Sequence, residues 1–215
     1  MEKDVPSPID FSDAKDVRAW IEETERKRPW RPEFFREFTR QVAEYCPASA
    51  TILELGAGPG MLAQHILETC SVRRYVLLDF SSPMLGLAQQ RLKAFDGVTD
   101  YVKRDFRTRD WEEGLGVFDA CVTMQAVHEV RHKKYVPQLL VQISRIVKPG
   151  GYLWVADHYF TDQNNPDLYL TAEEQPATLR AAGFPDVTLV LDKGNMALYR
   201  CRCTPNKTLG GLGGN

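Results

Sequence analysis

The stretch LELGAGPG (53–60) sets one acid, Glu54, in an apolar run and follows it with glycines at alternate positions, Gly56, Gly58 and Gly60, around Ala57. Glycines so placed let a ligand lie against bare backbone, and a helix starting directly after them offers unpaired N–H groups to an anion. Downstream, YVLLDF (75–80) closes on Asp79 and Phe80. An acid inside a buried strand needs a partner, and the two hydroxyls of a ribose would supply one about 20 residues beyond such a glycine turn. Two of the chain's four histidines, His128 and His158, follow strand-like segments, FDACVTM and YLWVAD. Imidazole at a strand end is placed to take a proton from a reacting molecule, or else to bond the local backbone. His65, on a helix face, and His132, in the charged run RHKK, read as structural or solvated.

These groups must be carried by a regular scaffold, and the periodicity supplies one. TILEL (51–55), YVLLDF, TDYVKRDF (99–106), FDACVTM (118–124) and YLWVAD (152–157) read as strands. Between them MLAQHILETC, the run from Ser82–Pro83 to Phe95 and YVPQLLVQISRIV (135–147) read as helices, the last stopped by KPGG. Strands alternating with helices predict a parallel α/β sheet. VTLVL (187–191) and MALYRCRC (196–203) are separated only by DKGN, too few residues for a parallel crossover, so they must form an antiparallel hairpin. Helices around 17–25 and from Pro29 onward precede the sheet. The tail TPNKTLGGLGGN has too many glycines to bury a face and reads as disordered.

The 215 residues, 43% of them apolar, suffice for one core. A net charge of -2 disfavours a nucleic-acid partner, and no apolar run approaches a membrane span. The acidic N-terminus lacks a signal-peptide core, which leads us to expect a cytoplasmic protein. The five cysteines form no CxxC pair, so reduced thiols and no metal site are expected.

Taken in order, ELGAGPG (54–60), LLDFSSPML (77–85), RDF (104–106), FDACVTMQAVHEV (118–130) and ISRIVKPGGYLWVAD (143–157) resemble the successive motifs of class I S-adenosylmethionine-dependent methyltransferases. The resemblance runs from about Thr51 to Cys203. It implies a Rossmann-like three-layer sandwich with a mostly parallel seven-stranded sheet and a reversed C-terminal strand. It also implies residues 1–48 as a helical extension or lid, 49–204 as the S-adenosyl-L-methionine-binding domain and 205–215 as tail. By the same resemblance Gly56, Ala57, Gly58 and Gly60 line the methionine end, with Glu54 near its ammonium. Asp79 holds the ribose beside Phe80, Met84 packs on the adenine, Asp105 accepts from the adenine amino group, Phe106 lies by the ring, and Met124 or Gln125 closes the pocket.

The pattern [DNS]PP[YF], used after the fourth strand by resembling DNA amino-group methylases, is replaced by MQAV, so a small-molecule methyl acceptor is expected. Trp20, Trp30, Arg31, Phe34 and Phe35 would lie over it, or else simply cover the sheet. His158 and, second, His128 are the candidate bases if the acceptor sheds a proton. Two other functions compete. An NAD(P)-dependent oxidoreductase is disfavoured by Met61, where GxGxxG needs glycine, and by the terminal hairpin. A non-catalytic S-adenosylmethionine-binding module is distinguished only by assay.

Overall fold

The computed structural model describes residues 3–204, and the tail read as disordered lies outside them. Seven strands form one sheet in the order β3-β2-β1-β4-β5-β7-β6. Thr51–Leu55 (β1) pairs in parallel with Arg74–Asp79 (β2) on one side and Phe118–Met124 (β4) on the other. Thr99–Lys103 (β3) extends one edge. On the other side Val147–His158 (β5) is followed by Met196–Arg202 (β7), which runs antiparallel to both β5 and Asp186–Lys193 (β6). The reversed strand thus sits next to the edge.

Alternation along β1 explains the three layers. Ile52 joins one buried face with Tyr75, Leu77 and Val122, covered by Arg31–Tyr45 (α2), Met61–Leu67 (α3) and Ser82–Arg91 (α4). Leu53 and Leu55 join the opposite face with Val76 and Leu153, covered by Val136–Ile146 (α5) and Glu174–Ala181 (α6). Helix starts are chemically marked. Asp13 caps Ala14–Lys27 (α1) by accepting from the N–H groups of Lys15 and Asp16, and Ser81 caps α4 through Met84.

Three expectations change. TDYVKRDF is a strand only to Lys103, where its pairing with β2 ends opposite Asp79 and the Arg104 N–H makes the last rung to the Asp79 carbonyl at 3.1 Å. α5 ends at Ile146, just before KPGG as expected, but KPGG belongs to the next strand: Gly150 adopts φ +81 and donates to the Cys203 carbonyl, so β5 begins at Val147 and carries an irregular step opposite Phe118–Ala120. α6 was not legible, since only Gln175 and Leu179 are buried along it. All five cysteines are free thiols. Among the described residues no helix is long and apolar enough to cross a membrane.

Candidate functional site

The carboxyl ends of β1, β2 and β4 open into a cleft roofed by the N-terminal residues. Its outer half is built on the glycine loop. Gly58, at φ +54, has open space where a side chain would project, so this is backbone a ligand can touch. Gly56, at φ +68, is needed differently: a Cβ there would collide with that of Ala126. Gly60 does not line the cleft; a Cβ would press on Ala88 at 3.1 Å, so this glycine serves the packing of α3 against α4.

Asp79 lines the cleft and is only 7% exposed. Its Oδ2 accepts from the Gly58 N–H and its Oδ1 from the Ser81 N–H, each at 2.8 Å. The same acid therefore shapes the glycine loop. Burial raises its pKa against these bonds, and each oxygen keeps a further lone pair for a ligand. Glu54 is buried beneath the loop, accepts from the Tyr75 hydroxyl at 2.8 Å and is pushed up to about 8 by burial. Phe80, Met84 and Phe106 supply apolar wall. Asp105 does not line the cleft: Arg107 grips its carboxylate at 2.7–3.0 Å, which leaves the adenine contact expected of it without support.

The inner half holds Met124, Gln125, His128 and Glu129. Gln125 takes a positive φ of 57 despite its side chain, a strained conformation fixed by its N–H donating to Ala156 at 2.8 Å. Its Nε2 lies 3.0 Å from Nε2 of His158, whose Nδ1 faces the Asn195 carbonyl at 3.1 Å. A carbonyl only accepts, so Nδ1 carries the proton and Nε2 accepts from the Gln125 amide. Burial lowers the His158 pKa, and its lone pair is spoken for. His158 stands behind Gln125 and is not in the cleft wall, which counts against it as the favoured base.

His128 is in the wall. Its Nδ1 meets Asp157 Oδ1 at 2.6 Å, its N–H donates to Asp157 Oδ2 at 2.9 Å, and its Nε2 lies 3.4 Å from Glu129. Burial alone would lower its pKa, but Asp157 and then Glu129 outweigh it and raise it to about 10. Both acids are held below their ordinary values despite burial. Arg131 completes the row, 3.0 Å from Glu129.

The N-terminal part contributes Trp20, Arg31 and Phe35 to the wall, as expected, whereas Phe34 is fully buried core and Trp30 packs edge-on against His158. Phe11, Arg28 and Asp157 were missed. Asp157 was visible as a second acid ending a buried strand, like Asp79. Phe11 is brought in by a strap no pattern announces: Arg131 donates to the Val5 and Pro6 carbonyls, and Ser81 Oγ to that of Phe11.

A methyltransferase domain model matches residues 52–151. Squalestatin tetraketide synthase from a Phoma species is 29% identical over 136 residues, 60% of this chain but 5% of that protein. The chain thus spans a small fraction of the curated relatives it matches. An O-methyltransferase family protein from Burkholderia thailandensis superposes with a TM-score of 0.70 at 16% identity, over 91% of this chain and 61% of that one. The DhpI–SAH complex gives 0.69 at 17% identity, over 90% and 96%. S-adenosylmethionine fits the cleft on three observations: a buried acid with spare lone pairs, bare backbone at Gly58, and Gln125 Oε1 buried in the wall with no donor among the described residues. Asp79 would hold its ribose, Phe80, Met84 and Phe106 its adenine, and Glu54 and the loop from Gly56 to Gly58 its methionine end. With the matching domain model and sheet order, the chain carries a methyltransferase domain with the class I, Rossmann-like S-adenosylmethionine-dependent methyltransferase fold.

Proposed function

We propose that the protein methylates a small molecule at an atom that gives up a proton, a hydroxyl oxygen or an enolisable carbon, beside His128. The cofactor, when bound, supplies a methyl group already activated on a sulfonium. The chain's task is alignment, exclusion of water and the handling of one proton, and alignment alone can supply ~7–11 kcal/mol. The observation that carries this reading is His128 in the cleft wall, held from behind by the buried Asp157, Nδ1 to Oδ1 2.6 Å. Asp157 holds the ring through Nδ1, so that Nε2, which faces Glu129 at 3.4 Å, is the nitrogen that would meet a ligand.

A ring raised to about 10 is a cation at neutral pH. It suits acceptors of similar acidity, such as phenols (pKa roughly 10) and enolisable dicarbonyls. The acceptor's proton passes to the neutral minority form of the ring, or the acceptor docks as its anion beside the cation; both give the same ion pair. Amines need no such partner. That one relative is a tetraketide synthase and one neighbour an O-methyltransferase family protein favours ketide or hydroxyl acceptors.

The test is transfer from methyl-labelled S-adenosylmethionine to panels of phenols, β-dicarbonyls and amines. Label should enter the first or second panel, and His128→Ala should lower turnover at least tenfold, since such groups contribute ~10²–10⁴-fold, with unchanged affinity for S-adenosylhomocysteine. Label confined to amines, or wild-type turnover in the variant, would overturn the reading.

A further inference from the structure

Arg28 is the C-cap residue of α1, and its side chain forms part of the cleft wall. It is half-buried, its one side-chain hydrogen bond runs from Nη1 to the neutral Thr24 Oγ1 at 3.1 Å, and among the described residues no carboxylate pairs with it. Burial works against its charge, opposed only by the fields of Tyr169, Asp157 and Glu23. A guanidinium drawn out of water without a counter-charge is costly unless something else meets it.

The two acids beside His128 already have partners. Asp157 is matched by His128 and Glu129 by Arg131, at 2.6 and 3.0 Å. Arg28 is the cation left over, and its field is felt by His158 and Tyr169, which flank the inner half. Tyr169 itself leans on His128 at 5.3 Å. Arg31, by contrast, lies over the Phe35 ring, 5.2 Å from its centre. Phe35 in the wall and Tyr169 beside His128 offer flat ring surface, suited to an aromatic body.

We propose that Arg28 recognises a carboxylate on the methyl acceptor, so that the substrate class is a small aromatic acid whose acidic O–H or C–H faces His128. A planar fork of donors matches a carboxylate, and the anion would neutralise the leftover charge. This rests on the methyl-transfer reading above, and the test separates the two.

Protein saturated with S-adenosylhomocysteine is titrated calorimetrically with 4-hydroxyphenylacetate and 4-hydroxybenzoate, and with their methyl esters. At least one acid should bind tenfold or more tighter than its ester. Arg28→Ala should abolish the preference and Arg28→Lys keep part of it, with S-adenosylhomocysteine affinity within twofold of wild type in both, which also shows that they fold. Equal binding of acid and ester by the wild type, or measurable binding of neither, overturns the proposal. So does a tenfold loss of S-adenosylhomocysteine affinity in Arg28→Ala, which would put the guanidinium on the cofactor's own carboxylate. Failure of the wild type to bind S-adenosylhomocysteine at all would instead sink the underlying reading, whatever Arg28 does.

Discussion

Asp79 has two partners before any ligand arrives, the Gly58 and Ser81 N–H groups at 2.8 Å. Asp79→Ala should therefore loosen the glycine loop as well as remove the ribose acceptor. Hydrogen bonds to a charged group contribute ~1.5–3 kcal/mol, roughly a ten- to hundredfold change in dissociation constant. Calorimetry with S-adenosylhomocysteine should show at least the lower figure; a folded variant binding as tightly as wild type refutes the assignment. Glu54 gives a sharper test. Pushed up to about 8 by burial, it is mostly protonated at pH 7. An ammonium beside it favours the carboxylate, so binding must expel a proton, and affinity must climb as pH rises towards 8 and then level off. Titrations at pH 7 in two buffers of different ionisation enthalpy should reveal that proton, and Glu54→Gln should not. Both acids could be read from the sequence because a charge inside an apolar strand demands an explanation. The pairing of His128 with Asp157 could not, because 29 residues and a helix separate partners that only the parallel β4–β5 register brings together.

At the scale of elements, strands buried on both faces, such as TILEL, are legible from composition alone, and the more exposed β6 from the short spacing of its hairpin. The misread ones depend on contacts made elsewhere. β5 continues through KPGG because Cys203, more than 50 residues on, pairs with Gly150 and Gly151. α6 buries too little to leave a periodic trace. The hairpin joining β6 to β7 has a use the sequence did not show. Gly194, at φ +61, lies so close to the Trp30 indole that a Cβ would fall inside the ring. Trp30 in turn packs on His158 and Phe34 at the start of α2. Gly194→Ala should destabilise the protein by about 1–3 kcal/mol, combining overpacking with a positive φ. Denaturant titration should report this, and an unchanged midpoint would mean that the turn and the indole are not in register. Gly58→Val has room, since its side chain points into open cleft, but it puts a branched residue at φ +54; it should cost about 1–3 kcal/mol of stability and abolish cofactor binding. A folded variant that binds normally would make that glycine a turn residue only.

Across the whole molecule, several ionisable groups were buried to make one cleft, and stability must respond to pH accordingly. His128 has a folded pKa of about 10, above its ordinary 6.5. Its contribution is therefore fully present below pH 6.5 and is lost as pH rises to 10, because over that range the folded ring must hold a proton that the unfolded chain has already released. Asp157 and Glu129 work in the opposite sense: their folded pKa values are lowered, so their contribution is present above the ordinary carboxylate range and lost in acid. Glu54, raised to about 8, adds a decline between its ordinary 4.5 and 8, which a ligand cation beside it should offset. The unliganded protein should thus lose melting temperature steadily from pH 6.5 to 10. S-adenosylhomocysteine at a hundred times its dissociation constant should restore about 2.7 kcal/mol. His128→Gln removes the titrating ring while keeping a hydrogen-bonding side chain, so its melting temperature should lie below wild type at pH 6.5 and converge on it towards pH 10. Parallel curves for the two proteins across that range would show that the imidazolium is not paired in solution, and with it would fall the assignment of His128 as the charged partner of the acceptor.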